Sequence, residues 1–144
     1  MQQAKITSYA GDISPAEAYG MLETKADAML VDVRTRPEWE FVGTPDLSPL
    51  GKEVVFSEWQ SYPSAARGAD FVAEVAAAAT DKNRCILFIC RSGARSRSAA
   101  MALTSAGFAH CYNVSDGFEG PLDDKRRRGS SGGWKASGLP WKQA

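Results

Sequence analysis

The fold is decided by the stretch Ile86-Leu87-Phe88-Ile89-Cys90-Arg91-Ser92-Gly93-Ala94-Arg95-Ser96, in which an apolar run leads into a polar turn. The small-residue run 98–103 comes after it and is typical of a helix, so the pattern predicts a strand, a loop and a helix. This order places the Cys90 thiol at the carboxyl end of a strand, where burial ends. Inward-pointing amides and the helix dipole favour a thiolate there. We therefore predict that Cys90 is nucleophilic.

Charge in the loop favours an anionic sulfur. Arg91, Arg95 and Arg97 lie close together, and no acidic residue occurs between Cys90 and Ala109 to neutralise them. Gly93 permits backbone geometry that other residues avoid. The loop residues expected to surround the sulfur and bind substrate are Arg91, Ser92, Gly93, Ala94, Arg95 and Ser96. The alternative is that Cys90 is a buried core residue and that the arginines are merely solvated.

Length, composition and charge argue against a nucleic-acid-binding, membrane or secreted protein. The 144 residues fit one domain, and 17 basic against 17 acidic residues give no net charge that would attract nucleic acid. No apolar run approaches the ~20 residues of a membrane helix, and the N-terminus lacks the apolar segment of a signal peptide. We therefore expect a cytoplasmic protein. Three cysteines cannot all pair, and His110 is the only histidine, so neither a metal nor a cofactor is predicted.

Strands and helices alternate along the chain. A capping box at Ser14-Pro15-Ala16-Glu17 opens a helix to about Thr24. The further predicted helices are 36–40, 65–79 and 96–106, and the predicted strands are 29–33, 54–56, 85–89 and 111–114, with an irregular loop at 43–51. This alternation predicts an α/β fold: a mainly parallel central sheet with helices on both faces and ligands at the carboxyl ends of the strands.

The loop Cys-Arg-Ser-Gly-Ala-Arg-Ser after a strand resembles the active-site loop of the rhodanese (sulfurtransferase) family in its single-domain form. Asp32-Val33-Arg34 resembles the Asp-x-Arg that follows the first core strand of that family, and Glu38-Trp39 resembles its acidic–aromatic pair. The segment from Asn113 to Phe118 and the ending from Trp134 to Pro140 match as well. The resemblance implies one rhodanese-like domain over residues 1–144, with Asp32 and Arg34 supporting the site.

The same resemblance implies a sulfurtransferase. Thiolate Cys90 would take the outer sulfur of an anionic donor such as thiosulfate, become a persulfide, and pass the sulfur to cyanide or a thiol. A protein acceptor is left open. Arg91 and Arg95 would attract the donor, although Arg95 could instead pair with Asp32 or Glu38. The alternatives are a sulfur-carrying or sulfur-sensing module for a protein partner, and a cysteine phosphatase or arsenate reductase, which the Cys-x4-Arg spacing disfavours.

Two departures from the family pattern concern the surroundings of the loop. The turn 42–47 replaces the family's Gly-His-Ile-Pro-Gly-Ala, so the cleft wall is not predicted. Residues 119–133 are interpreted as a loop insertion that carries the basic tract 125–128, which is either a solvated loop or a docking site for a partner.

Overall fold

The computed structural model describes residues 9–61 and 65–143. The helices are α1 (Pro15–Thr24), α2 (Arg36–Val42), α3 (Gly68–Ala79), α4 (Ala94–Ser105) and α5 (Gly133–Ala136), with a 3-10 turn at Ser48–Leu50. The strands are β1 (Gly11–Ile13), β2 (Met29–Asp32), β3 (Thr44–Pro45), β4 (Val55–Phe56), β5 (Gln60–Ser61), β6 (Ala65–Ala66), β7 (Cys85–Ile89), β8 (His110–Val114) and β9 (Trp141–Lys142).

Five of these strands form the central sheet, in the order β1-β8-β7-β2-β4. All four strand pairings in it are parallel. Two short antiparallel pairs, β3 with β9 and β5 with β6, lie outside this sheet. The prediction of a mainly parallel α/β fold is confirmed. Because parallel strands share one carboxyl edge, the residues after β2, β7 and β8 meet at the same end of the sheet.

Residues of the central strand β7 alternate between two cores. Ile86 and Phe88 pack with residues of α3 and α4, among them Phe71 and Leu103. Leu87 and Ile89 point to the other face, where they pack with residues of α1 and with Trp134 of α5. This alternation follows from the two-residue period of a strand. Helices therefore cover both faces, and β7 is buried along its whole length.

Most predicted elements are present, and the differences have local causes. The predicted helix 65–79 begins only at Gly68, because Ala65–Ala66 pair with Gln60–Ser61. The predicted helix 96–106 begins earlier, at Ala94, because Gly93 serves as its N-cap. Strand β1 was not predicted: it has three residues and pairs only with β8. The N-terminal segment 1–5 lies outside the described residues. Within the described part of the chain, no helix has the length and apolar character needed to cross a bilayer.

Candidate active site

Cys90 directly follows β7, at the carboxyl edge of the sheet. It continues the alternation of Ile86 and Phe88, so its side chain points toward the face covered by α4. The residue is 1% exposed. The sulfur was predicted to lie where burial ends, and the structure places it on the buried side of that boundary, since Arg91 directly after it is exposed. The thiol belongs to the last buried layer, and the polar loop with the first turn of α4 covers it.

The backbone of the loop turns its amides toward this sulfur. The Gly93 N–H donates to Cys90 Sγ over 3.1 Å and the Ser96 N–H donates over 3.3 Å. Of the two loop serines, Ser96 also brings its hydroxyl to 3.2 Å from Sγ. Of the amides from Arg91 to Ser96 that were expected around the sulfur, these two are in hydrogen-bonding contact with it. Such donors stabilise negative charge on sulfur.

The carbonyl groups of the loop point the other way, toward the turn after β8. The Cys90 carbonyl accepts from the Phe118 N–H at 2.8 Å. The Arg91 carbonyl accepts from the amides of Glu119 and Gly120, at 3.0 and 3.2 Å. Because the Cys90 and Arg91 carbonyls are bonded to this turn, they do not point at the sulfur. The family resemblance covered the segment from Asn113 to Phe118, but its contact with the loop was not predicted, since Phe118 lies 28 positions after Cys90.

Two glycines allow the loop and the second turn to approach each other. Gly93 has φ +113°, and a Cβ built there would lie 2.2 Å from the carbonyl oxygen of Ser115. Gly117 has φ +68°, and its Cβ would lie 2.5 Å from the backbone of Arg91. Both positions therefore exclude a side chain by backbone conformation and by space. The importance of Gly93 was predicted, whereas that of Gly117 follows only from the packing.

Arg95 is held by Glu38 of α2. Its Nη1 and Nη2 donate to the two carboxylate oxygens at 2.8 and 3.0 Å. Burial alone would raise the pKa of Glu38, but the hydrogen bonds from Arg95 and from the Thr35 amide outweigh it and lower this pKa to about 2. The pKa of Arg95 is raised by the same pair. Glu38 is one of the two acids that the sequence left open as partners of Arg95, and it comes from another helix rather than from the loop, which holds no acid.

Asp32 and Arg34, predicted to support the site, form a buried pair beside it. Both side chains are 0% exposed, and Arg34 Nη2 lies 2.6 Å from Asp32 Oδ2. The same nitrogen donates to the Gly43 carbonyl at 2.8 Å. The guanidinium carbon lies 4.4 Å from the ring centroid of Phe118, whose amide binds the Cys90 carbonyl. The pair thus fixes the turn 42–47 and the support of the loop rather than contacting the sulfur.

Asn113 is a buried polar residue near the site whose role was not predicted. It lies near the carboxyl end of β8 and is 2% exposed. The Ser96 hydroxyl donates to its Oδ1 over 2.6 Å. The available signal was a polar amide between Tyr112 and Val114 in a predicted strand, because a buried amide needs a polar partner.

The remaining arginines near the loop are exposed. Arg91 and Arg97 both present their side chains to solvent. The tract 125–128 follows a turn closed by Asp123, whose carboxylate accepts from the amides of Lys125 and Arg127 at 2.8 Å each. Lys125, Arg126 and Arg127 are exposed, as the solvated-loop alternative expects. That 119–133 is an insertion stays a prediction.

The other cysteines and the histidine lie away from this site. Cys85 and Cys111 are buried and unpaired. Burial raises the pKa of Cys85 and raises that of Cys111 to about 11. His110 begins β8, where it lies in register with Cys85 at the amino end of the sheet, opposite the edge that holds Cys90. A Cys90–His110 dyad is therefore excluded by the topology.

Comparison with known proteins identifies the family. Residues 10–144 match the family model described as "STR4 middle domain", a rhodanese-like family. A crystal structure of Rv0390 from M. tuberculosis is 48% identical and superposes with a TM-score of 0.86, covering 95% of this chain and 100% of that one. The uncharacterized protein RC0915 of Rickettsia conorii is 44% identical over 131 residues, which are 90% of this chain and 95% of that protein.

A more distant structural neighbour is named for its activity. The polysulfide-sulfur transferase homodimer from Wolinella succinogenes is 25% identical, with a TM-score of 0.60, over 92% of this chain and 78% of that one. The fold, the loop that follows the central strand and the match over nearly all of the sequence agree with one another. The chain therefore belongs to the STR4 middle domain family and is a rhodanese-like domain.

Proposed function

We propose that this protein is a sulfurtransferase in which Cys90 carries a sulfane sulfur as a persulfide. The observation that carries the proposal is the convergence of the Gly93 and Ser96 amides on Cys90 Sγ at the carboxyl edge of the sheet. The rhodanese-like family and the polysulfide-sulfur transferase among its structural neighbours support the same chemistry. The donor that we expect is thiosulfate, and the acceptor is cyanide or a thiol.

The reaction consists of two displacements at sulfur. Cys90, after giving its proton to solvent, attacks the outer sulfur of thiosulfate; the S–S bond of the donor breaks and sulfite leaves with the electron pair. The acceptor then attacks the outer sulfur of the persulfide, and the Cys90 thiolate leaves. Negative charge resides on the Cys90 sulfur before the first step and after the second. The two amides stabilise it at both moments without reorganising. This chemistry requires neither a metal nor a cofactor.

Arg91 is the residue that we assign to attraction of the donor. Its guanidinium is exposed beside the loop, whereas that of Arg95 is bound to Glu38 through both terminal nitrogens. The charge of Arg95 is therefore balanced, and its role is to hold α2 against the loop. The cytoplasmic location expected from the sequence stays a prediction.

Mass spectrometry of the intact protein tests the proposal. After incubation with thiosulfate and without reductant, the protein gains the mass of one sulfur atom, and cyanide removes it. Cys90→Ser abolishes the gain, whereas the matched variants Cys85→Ser and Cys111→Ser retain it. Labelling that survives the loss of Cys90 would contradict the assignment.

Turnover assays separate the proposal from its alternatives. Thiosulfate, polysulfide and an aryl phosphate are offered side by side, and we expect release of sulfur to cyanide without release of phosphate. Persulfide formation with negligible turnover on either sulfur donor would favour a sulfur-carrying module for a protein partner. Release of phosphate without persulfide formation would favour a phosphatase.

A further inference from the structure

A chain of hydrogen bonds runs from the sulfur to the edge of the sheet. It starts at the 3.2 Å contact between Cys90 Sγ and Ser96 Oγ and continues over 2.6 Å from Ser96 Oγ to Asn113 Oδ1. Asn113 Nδ2 then donates to Asp12 Oδ1 of β1 over 3.0 Å. The Tyr9 hydroxyl donates to the same carboxylate oxygen over 2.8 Å. This series of hydrogen bonds therefore links the loop to β8 and β1.

The Asp12 carboxylate at the end of this series decides which group donates and which accepts in each hydrogen bond. A carboxylate only accepts hydrogen bonds, so the NH₂ group of Asn113 faces Asp12 and its carbonyl faces Ser96. A carbonyl also only accepts, so the Ser96 hydroxyl donates its proton to Asn113. Ser96 Oγ therefore presents only its lone pairs to the sulfur. In the contact between them, the S–H of Cys90 donates and Ser96 Oγ accepts.

We propose that Asn113 is a positioning residue that acts through Ser96 to keep the resting Cys90 protonated. The proposal rests on the proposed function of Cys90. When the sulfur loses its proton, the contact with Ser96 is favourable only if the serine hydroxyl turns to donate to sulfur. Turning would leave the buried carbonyl of Asn113 without a donor, which is costly. Asn113 thus opposes the thiolate that the two amides favour, and the resting state differs from the thiolate predicted from the sequence.

Charged groups around the sulfur are mostly balanced by partners. Arg95 on α4 is paired with Glu38 on α2, and Asp32 is paired with Arg34 after β2. The titratable groups on the elements around the sulfur and its hydrogen-bonded neighbours are Arg91, Arg95, Arg97, Glu38, Asp32, Arg34, Asp12 and Tyr9. Four of these groups form two ion pairs, and the Ser96 hydroxyl is the side-chain group that contacts the sulfur and can change the direction of its hydrogen bond.

A double-mutant cycle tests the proposal by the pH dependence of thiolate absorbance. The absorbance of Cys90→Ala is subtracted, so that only Cys90 is followed, and no sulfur donor is present. Asn113→Leu removes the acceptor and frees Ser96 to donate to the thiolate. We expect the midpoint of the titration to fall by about one pH unit, a roughly tenfold rise in the thiolate-to-thiol ratio. In the Ser96→Ala background the same substitution has no effect, and the control Asn83→Leu shifts nothing.

Asp12→Ala provides a second variant that leaves the buried core intact, since Asp12 is exposed. Without the carboxylate, the Asn113 amide is free to reverse, and the midpoint falls in the native background but not with Ser96→Ala. A shift that persists without the Ser96 hydroxyl, for either variant, would mean that charge or packing acts directly on the sulfur and would overturn the proposal. Unchanged midpoints would overturn it too. Failure of persulfide formation with these shifts present would instead refute the sulfurtransferase function alone.

Discussion

The ion pair between Glu38 and Arg95 predicts a pH-dependent contribution to stability. Glu38→Gln keeps the size of the side chain but removes its charge, so Arg95 loses its partner while α2 keeps its packing. The pKa of Glu38 lies at about 2 in the folded protein, against an ordinary value of 4.5. A carboxyl whose folded pKa is depressed stabilises the fold at pH values above its unfolded pKa. That contribution is then lost as the pH falls toward the folded value.

The size of the effect follows from this shift and from the exposure of the pair. One pKa unit corresponds to about 1.4 kcal/mol, so the full shift corresponds to about 3 kcal/mol. The two side chains are 24% and 20% exposed, and solvent screens a pair of this kind. We therefore expect Glu38→Gln to lower the free energy of unfolding by about 1–2 kcal/mol at neutral pH. At pH 3 the difference falls to less than about half of that value.

Urea unfolding followed by tryptophan fluorescence at several pH values between 7 and 3 measures this difference. The matched control is Glu40→Gln, an exposed acid on the same helix, which should change stability little. Equal stability of Glu38→Gln and the native protein at pH 7 would refute the reasoning. A loss that stays the same down to pH 3 would also refute it, because packing rather than ionisation would then be the cause.

Three further predictions concern the loop and the buried thiols. Gly93→Ala should destabilise the protein by about 2 kcal/mol or more in urea unfolding and abolish persulfide formation, whereas Gly138→Ala, at positive φ with open space around it, should cost only about 1 kcal/mol. Arg91→Ala should slow thiosulfate turnover more at low salt than at high salt, and equal losses would remove its electrostatic role. Cys111, with a pKa of about 11, should resist alkylation at pH 8 until the protein is unfolded; rapid labelling of the native protein would contradict its burial.

The central part of the fold was predictable because its signals are local. The apolar run before Cys90 gives β7, and the small-residue run after it gives α4. The capping box at Ser14 is present in the structure, where the Glu17 amide donates to the serine hydroxyl oxygen at 3.0 Å. Once strands and helices alternate, a parallel sheet with one carboxyl edge follows from general rules of connection. The position of Cys90 at that edge followed from the same rules.

The sequence did not decide the surroundings of the sulfur, because the partners there are distant along the chain: Glu38 was only one of two acids left open for Arg95, and the contact between Asp12 and Asn113 was not predicted. Glu38 and Arg95 are 57 positions apart, and Asp12 and Asn113 are 101 apart. Periodicity says which face of an element is buried but not which charge lies opposite it. The same limit explains the covered thiol. The alternation of side chains along a strand determines the face toward which the Cys90 side chain points. How little of the thiol is exposed depends instead on how the loop packs against the turn at 118–120.

The pairing of Arg95 also bears on the phosphatase alternative, which the loop spacing alone only disfavoured. An arginine that binds a phosphate presents both terminal nitrogens of its guanidinium to the ligand oxygens. In this protein Glu38 occupies both nitrogens of Arg95, and the pair is partly buried. Binding a phosphate there would require breaking a charge-assisted, two-pronged contact. A single sulfur on Cys90 needs no bidentate contact from an arginine, because the Gly93 and Ser96 amides donate to it directly. The contacts of the loop therefore favour one sulfur held on Cys90 over a phosphate held by Arg95, which supports the proposed sulfurtransferase over the phosphatase.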